Sequence, residues 1–407
     1  MFSKQSFSAI IKFIYSIFVN NNGRQDTHKM LFLVSDVTTM KEGVSMNWAE
    51  NLQNNLTTAE QLKGVLQLND KEMEKLKQIL EQFPMSITQY YLSLIHWEDE
   101  NDPIKKMCIP SIRETDLDGS FDTSGEADNT VVEGMQHKYK QSAMILSTNR
   151  CAMYCRHCFR KRLVGLSDKE IAKYFDKIME YIEGHTEISN VLISGGDAFL
   201  NSNEVIEKYL ERLCRMEHID FIRFGTRTPV VLPMRITEDK ELLDILQRYS
   251  SKKQIYVITH FNHPNEITRE SKAAVQALLH VGIPVRNQAV LLKGINDSPQ
   301  VLGTLLKRLT AAGVLPYYVF QCRPVSGVKN QFQVPLKQSF KIVEEAKNMQ
   351  NGMGKNFRYV LSHEAGKIEI LGMTAEDEML FKYHQAKKPE DAGRLFIRHL
   401  EDTQCWL

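Results

Sequence analysis

The sequence carries almost no net charge, since 51 Lys and Arg residues face 50 Asp and Glu residues and leave a formal net charge of +1. There is therefore no global electrostatic reason to expect nucleic acid or an anionic membrane surface as a partner. Short-period repeats and low-complexity tracts are also missing. With 407 residues, the chain is long enough for one large domain or for a barrel with an added domain.

A hydrophobic run long enough to cross a bilayer is missing as well. Residues 9–19 are mostly apolar, but Lys12 interrupts this run, which is too short to span a membrane. No small-residue cleavage site follows it, as a secretory signal would require. We expect residues 1–45 to form a disordered or helical extension, with a targeting segment as the alternative. Translation could also begin at Met30, Met40 or Met46.

Cysteines are few and unevenly placed. Of the seven in the chain, Cys151, Cys155 and Cys158 fall within eight residues and the other four are scattered. A secreted disulfide framework would show an even number of distributed cysteines in a shorter chain. The pattern therefore predicts a reducing, cytoplasmic location and one metal cluster.

Changes in composition divide the rest of the chain into three parts. Residues 46–134 are predicted to be a helical region that ends in an acidic linker, because residues 116–133 are rich in Asp, Gly, Ser, Thr and Asn. Strands and helices alternate in residues 135–325, which we interpret as a barrel core. Residues 326–407 are predicted to be a C-terminal region.

Local patterns predict the elements of these parts. Residues 57–60 fit a capping box and residues 71–83 form a charged helical run, while a second capping box at Ser167 predicts a helix whose apolar face reaches Ile182. Six short apolar runs predict buried strands, at residues 143–147, 191–193, 221–224, 255–259, 288–291 and 317–320. Such alternation implies an α/β fold with a parallel sheet, and six units suit a partial (β/α)6 TIM-type barrel with its chemistry at the C-terminal strand ends.

The spacing Cys151-x3-Cys155-x2-Cys158 directly follows the first predicted barrel strand. Three thiolates at this spacing can bind three irons of a 4Fe–4S cluster and leave the fourth iron open to the amine and carboxylate of a small molecule. Two alternatives are a zinc site completed by His157 and thiols without a ligand.

This motif resembles the signature of the radical S-adenosylmethionine superfamily. Residues 153–160, Met-Tyr-Cys-Arg-His-Cys-Phe-Arg, resemble the lysine 2,3-aminomutase family in particular, as do residues 85–94, 227–233 and 259–266. The resemblance implies an isomerase in which the reduced cluster cleaves S-adenosylmethionine to a radical, while pyridoxal phosphate holds the migrating amine. It also implies a flavodoxin- or ferredoxin-like reductant, an amino acid substrate and a homo-oligomer.

The resemblance also implies roles for individual residues. Lys367 is the candidate lysine for pyridoxal phosphate, Lys138 and Tyr139 match the family's phosphate-binding pair, and Ser142 replaces a second phosphate-binding arginine. Arg160 matches the residue that pairs with the substrate α-carboxylate. The S-adenosylmethionine site is expected to include His157, Gly195, Gly196, Asp197, His260 and Gln288.

Two departures from the lysine mutases bear on the substrate and on zinc. Arg323 stands where those enzymes carry an aspartate for the distant ammonium of lysine, and Leu361 or Ser362 replaces the second aspartate. A carboxylate would be favoured beside Arg323, as in glutamate 2,3-aminomutase, which makes β-glutamate. Lysine mutases carry a C-terminal cysteine cluster for a structural zinc, whereas the tail of this chain holds only Cys405. We therefore predict no structural zinc.

Other interpretations of the function stay open. Arg323 could point away or bind phosphate, and lysine, free or destined for elongation factor P, is then the alternative substrate. A non-catalytic binder is disfavoured, because such a protein has no physical need to keep Lys367 and all three clustered cysteines.

Overall fold

The computed structural model describes residues 48–66, 68–374 and 378–407. The predicted N-terminal extension, residues 1–45, lies outside these ranges. By its contacts, the chain from Asn47 to Leu407 forms one compact unit. No helix of the described ranges has the length and apolar character needed to cross a membrane.

The helical region contains five helices among the described residues. They are α1 (Trp48–Gln53), α2 (Ala59–Leu66), α3 (Asp70–Gln82), α4 (Gln89–Leu92) and α5 (Pro103–Cys108). Of these, α2 and α3 correspond to the capping box and the charged run that the sequence indicated. The capping box of α2 lies one residue later than predicted. The hydroxyl of Thr58 accepts a hydrogen bond from the backbone amide of Gln61, and the Gln61 side-chain oxygen accepts one from the amide of Thr58 at 3.0 Å. The charged run of α3 buries only Met73, Leu76 and Ile79, which lie on one face at helical spacing.

Twelve strands of the described residues form one sheet in sequence order. They are β1 (Thr130–Val132), β2 (Met135–Tyr139), β3 (Ser142–Thr148), β4 (Asn190–Gly195), β5 (Phe221–Gly225), β6 (Gln254–Thr259), β7 (Val285–Leu291), β8 (Val314–Gln321), β9 (Arg358–His363), β10 (Gly366–Met373), β11 (Glu378–Ala386) and β12 (Leu395–His399). All six predicted strands are present, as β3 to β8, and they pair in parallel. The α/β class with a partial parallel barrel is thus confirmed; β9 adds a seventh parallel strand, and the remaining pairings are antiparallel.

Helices connect the parallel strands. They are α6 (Phe175–Gly184), α7 (Asn203–Arg215), α8 (Thr228–Val231), α9 (Met234–Thr237), α10 (Lys240–Ser250), α11 (Arg269–His280), α12 (Pro299–Ala311), α13 (Lys329–Phe332) and α14 (Leu336–Asn348). Their apolar faces pack on the strands in one continuous core.

The prediction that a helix opens at Ser167 is wrong, because α6 begins eight residues later. The carboxylate of Glu170, which a capping box would direct back to Ser167, instead binds Arg162 at 2.8 Å. The amide of Ala172 donates to the carbonyl of Leu146 in β3 at 2.8 Å. Contacts with the barrel therefore replace the local helical bonds of this segment.

A buried ion triad ties the helical region to the cysteine loop, which follows β3 and carries Cys151, Cys155 and Cys158. Glu114 lies in a short 3-10 turn, Ile112–Thr115, and its carboxylate accepts from Arg156 Nε at 2.9 Å and from Lys161 Nζ at 2.6 Å. The side chains of the three are 0%, 2% and 5% exposed, in that order. Two loop cations thus depend on one carboxylate from outside the barrel.

We expect Glu114→Gln to lower the free energy of unfolding by about 3–5 kcal/mol, because it leaves two buried cations without a charged partner. Urea unfolding followed by circular dichroism measures the change. The matched control is Glu60→Gln, which removes an exposed ion pair with Lys77 and should move the urea midpoint little. Equal, small shifts for both variants would contradict the structural role of Glu114.

Candidate active site

One cavity of about 330 Å³ lies inside the barrel and at the C-terminal ends of its strands. Every residue that the sequence predicted for the site lines it: Cys151, Cys155, Cys158, His157, Arg160, Gly195, Gly196, Asp197, His260, Gln288, Arg323, Lys138, Tyr139 and Lys367. Residues from β2, β4, β7 and β10 and from several loops thus converge on one space.

The three cysteines follow β3 on a loop held by backbone hydrogen bonds. The amide of Tyr154 donates to the carbonyl of Ser86, and that of Cys158 donates to the carbonyl of Cys155. Burial raises the pKa of the Cys151 thiol well above its ordinary value and that of Cys158 to about 11. Metal binding would have to displace these protons, as it does at thiolate sites generally.

The thiols do not converge on one point. Among the described residues, no three His, Cys, Asp or Glu side chains surround a position that could hold a single metal ion. Cysteines that each bind a different iron of a cluster need not converge, and all three line the same cavity, so the lining fits the 4Fe–4S interpretation. Burial lowers the pKa of the neighbouring His157 well below its ordinary value, and its ring is therefore neutral.

Two glycines allow the end of β4 to pack against the start of the cysteine loop. Gly195 has φ +117°, and a Cβ on Gly196 would lie 2.2 Å from the carbonyl oxygen of Arg150, the residue before the first cysteine. The carboxylate of the next residue, Asp197, accepts the amide of Arg227 at 2.7 Å. Asp197 therefore positions the loop after β5.

His260 and Gln288 meet through the backbone. The Nδ1 nitrogen of His260 donates to the carbonyl of Gln288 at 2.8 Å, so this nitrogen carries the proton and Nε2 is left as an acceptor. Burial lowers the pKa of His260 to about 4.

Lys367 lies on β10, opposite Gln385 of β11. Its amine donates to Gln385 Oε1 at 2.6 Å and is 4.8 Å from the centroid of the Tyr139 ring. Burial, together with the cations of Arg223, Lys138 and Arg323, lowers the pKa of Lys367 to about 7. Much of this amine is therefore neutral at pH 7, as a lysine that reacts as a nucleophile must be.

Arg323 has a buried donor without a partner. One terminal nitrogen, Nη2, donates to the hydroxyl of Ser362 at 2.8 Å, whereas Nη1 is buried and has no hydrogen-bond partner. The guanidinium is 4.2 Å from the centroid of the Phe159 ring. Burial lowers the pKa of Arg323 to about 10, and burial followed by the charge of Arg323 lowers that of Lys138 to about 8.

Arg160 is held by Glu126, a residue that the sequence analysis missed. Arg160 Nη2 is 2.9 Å from Glu126 Oε1, and its Nη1 donates to the carbonyl of Gly195 at 3.1 Å. Burial alone would raise the pKa of the Glu126 carboxyl, but Arg160 and Arg162 outweigh burial and hold it at about 2. The acidic, loop-like composition of this segment gave no indication that the Glu126 side chain is only 4% exposed.

Arg223 was also missed. It lines the cavity from β5 and donates to the side-chain oxygen of Asn190, which accepts from Ser142 as well. Its Nε is buried without a partner. A charged residue in the middle of an apolar strand was the available signal. Arg223 brings positive charge beside Ser142, the position where the family resemblance had suggested a lost arginine.

The chain matches known proteins over most of its length. The model of the Radical SAM superfamily matches residues 145–302. An L-lysine 2,3-aminomutase of Acetoanaerobium sticklandii is 40% identical over 309 residues, which cover 75% of this chain and 73% of that protein.

Two further relatives differ in the substrate that their names give. The L-lysine 2,3-aminomutase of Clostridium subterminale is 39% identical over 75% of this chain and 73% of its own length. The glutamate 2,3-aminomutase of Clostridioides difficile is also 39% identical, over 75% of this chain and 72% of its own length. Overall identity therefore does not distinguish between the two substrates.

We expect the Lys367 amine to react with a pH midpoint near 7, whereas an ordinary lysine has its midpoint near about 10.4. Reductive methylation at a series of pH values, read by peptide mass spectrometry, measures this midpoint. Arg323→Met removes one neighbouring cation. The protonated Lys367 amine is then less strongly repelled, so the pH midpoint should move upward. Arg398→Met, an exposed change on β12, is the control and should leave it in place. A midpoint near 10 in the unchanged protein would be evidence against the desolvated site.

Proposed function

Since the chain belongs to the lysine 2,3-aminomutase family of radical S-adenosylmethionine enzymes, we propose that it moves the α-amino group of L-glutamate to the β-carbon and makes β-glutamate. As a member of this family it is an isomerase that uses a 4Fe–4S cluster, S-adenosylmethionine and pyridoxal phosphate. When bound, the first two supply the radical that removes a hydrogen atom, and pyridoxal phosphate holds the migrating amine.

The observation that carries the choice of glutamate is the buried, unpartnered Nη1 of Arg323. An unsatisfied charged donor is costly, and the side-chain carboxylate of glutamate would satisfy it with a charge-assisted hydrogen bond. The ammonium of lysine would meet Arg323 as a like charge. At about 4 Å and an effective dielectric constant of about 20, such repulsion is about 4 kcal/mol.

The charge balance of the cavity supports the same choice. Arg323, Lys138, Arg223 and Lys367 lie near one another, since three of them lower the pKa of the fourth. Glu126 is already shared between two other arginines. The phosphate of the cofactor and a dicarboxylic substrate would both reduce the surplus of positive charge, whereas a cationic substrate would increase it.

We assign the α-carboxylate of the substrate to Arg160. Glu126 and the carbonyl of Gly195 fix the plane of its guanidinium before substrate arrives. A group that orients a carboxylate needs such support from behind. Glu126 is thus proposed as a positioning residue.

The pyridoxal phosphate end is assigned to Lys367, with Gln385 orienting its amine. Lys138, Tyr139 and Arg223 are the proposed phosphate partners. Lys138 acts there as a point charge, whereas Arg223 offers a planar fork of donors. A small redox protein such as flavodoxin or ferredoxin is the proposed electron donor, and the homo-oligomer remains a prediction.

The test incubates anaerobically reconstituted, reduced enzyme with S-adenosylmethionine and pyridoxal phosphate. Glutamate and lysine are offered to it in parallel reactions. We expect β-glutamate as the product. We also expect Arg323→Met to lower kcat/KM for glutamate by about 10²–10⁴-fold, because loss of one partner of a buried charge pair costs about 3–5 kcal/mol and about 1.4 kcal/mol is tenfold in rate. Arg398→Met serves again as the control and should retain the rate.

β-Lysine as the only product would contradict the role of Arg323 and favour the lysine mutase alternative. If neither product forms while the cluster and pyridoxal phosphate are bound, the assignment of glutamate as the substrate is wrong, and other amino acids are the next substrates to test.

A further inference from the structure

Three side chains from the family-like segments have no role in the site described so far, yet one buried network joins them. Tyr91 comes from α4, Arg227 from the loop after β5, and Glu266 from the turn after β6. The hydroxyl of Tyr91 donates to Glu266 Oε1 at 2.7 Å, and Arg227 Nη2 donates to the same oxygen at 2.6 Å. The second oxygen of Glu266 accepts the amides of Asn262 and His263. Glu266 is therefore fully engaged and fixed in place.

The network ends on a sulfur of the cysteine loop. Arg227 Nη1 donates to Cys155 Sγ at 2.6 Å, while its Nε donates to the carbonyl of His260 at 3.0 Å. The Arg227 side chain is 9% exposed and that of Glu266 is 0% exposed. Since the backbone amide of Arg227 is also held by Asp197, both its position and its direction are fixed.

We propose that Arg227 tunes the reduction potential of the cluster through its hydrogen bond to Cys155, and that Glu266 and Tyr91 are its positioning residues. Hydrogen bonds to the cysteine sulfurs and nearby charge are among the factors that set the potential of an iron–sulfur cluster. One-electron reduction adds negative charge to the cluster and its thiolates. A donor aimed at one sulfur stabilises the reduced form and makes the cluster easier to reduce.

A second arginine near Cys155, in the cysteine loop itself, shows what a purely structural arginine does here. Arg156, the neighbour of Cys155, directs its donors to oxygens, namely the carboxylate of Glu114 and the carbonyls of Phe83 and Pro84. Arg227 instead directs a donor at a cluster sulfur. Glu266 offsets the full charge of Arg227, so its influence on the cluster is exerted mainly through the N–H···S bond.

The test is an EPR-monitored redox titration of the reconstituted, cluster-loaded enzyme without amino acid substrate. We expect Arg227→Met to lower the ratio of reduced to oxidised cluster about tenfold at a given potential, which for one electron is a shift of about 59 mV to more negative values. Arg227→Lys keeps the charge but loses the fork, and should give a smaller shift in the same direction. Arg156→Lys is the matched control, because it also removes buried hydrogen bonds beside Cys155, and it should leave the potential unchanged.

Equal potentials in the unchanged enzyme and in both Arg227 variants would overturn the proposal, as would an equal shift in Arg156→Lys. If Arg227→Met binds no cluster, Arg227→Lys decides. Failure of both to bind iron would assign Arg227 to holding the loop and would also overturn the proposal. Because no substrate is present, none of these outcomes bears on the choice of glutamate.

Discussion

Buried positive charge is the constraint on which this molecule depends. Six Lys and Arg side chains line one cavity: Lys138, Arg160, Arg223, Arg227, Arg323 and Lys367. Desolvation penalises each of these charges, and the structure meets the penalty with few carboxylates, of which Glu126 serves two arginines. Burial first, and then the neighbouring positive charges, lowers the pKa values of Lys367 and Lys138. Anionic ligands would therefore both complete the site and stabilise the folded chain by mass action.

Local sequence patterns predicted the parallel strands of the barrel. Buried parallel strands appear as short, continuous apolar runs, so all six were located to within a few residues from residue types alone. The helix expected at Ser167 failed for the opposite reason. Residues 167–170 have the residue types of a capping box, but the carboxylate of Glu170 binds Arg162 instead of the backbone at Ser167. No local pattern shows that Arg162 competes for this carboxylate.

The same distinction divides the site. Residues in short motifs were found, because a motif is local in sequence, and every residue that was assigned to the site from a motif lines the cavity. Glu126 and Arg223 were missed, since their importance arises only from partners far along the chain. Glu126 lies 34 residues from Arg160, and Arg223 lies 33 residues from Asn190. Composition described the acidic linker as a loop but could not show that one of its carboxylates is buried.

The cysteine loop needs the helical region for two separate reasons. Glu114 pairs with both Arg156 and Lys161, so it fixes the backbone on either side of the last cysteine, Cys158. Tyr91 contacts Glu266, which fixes the guanidinium that reaches Cys155. Without this region, Arg156 and Lys161 would lose their carboxylate, and Glu266 would lose the hydroxyl of Tyr91. The helical region is thus part of the cluster site, since it supplies both the anion and the hydroxyl that the barrel itself lacks at those positions.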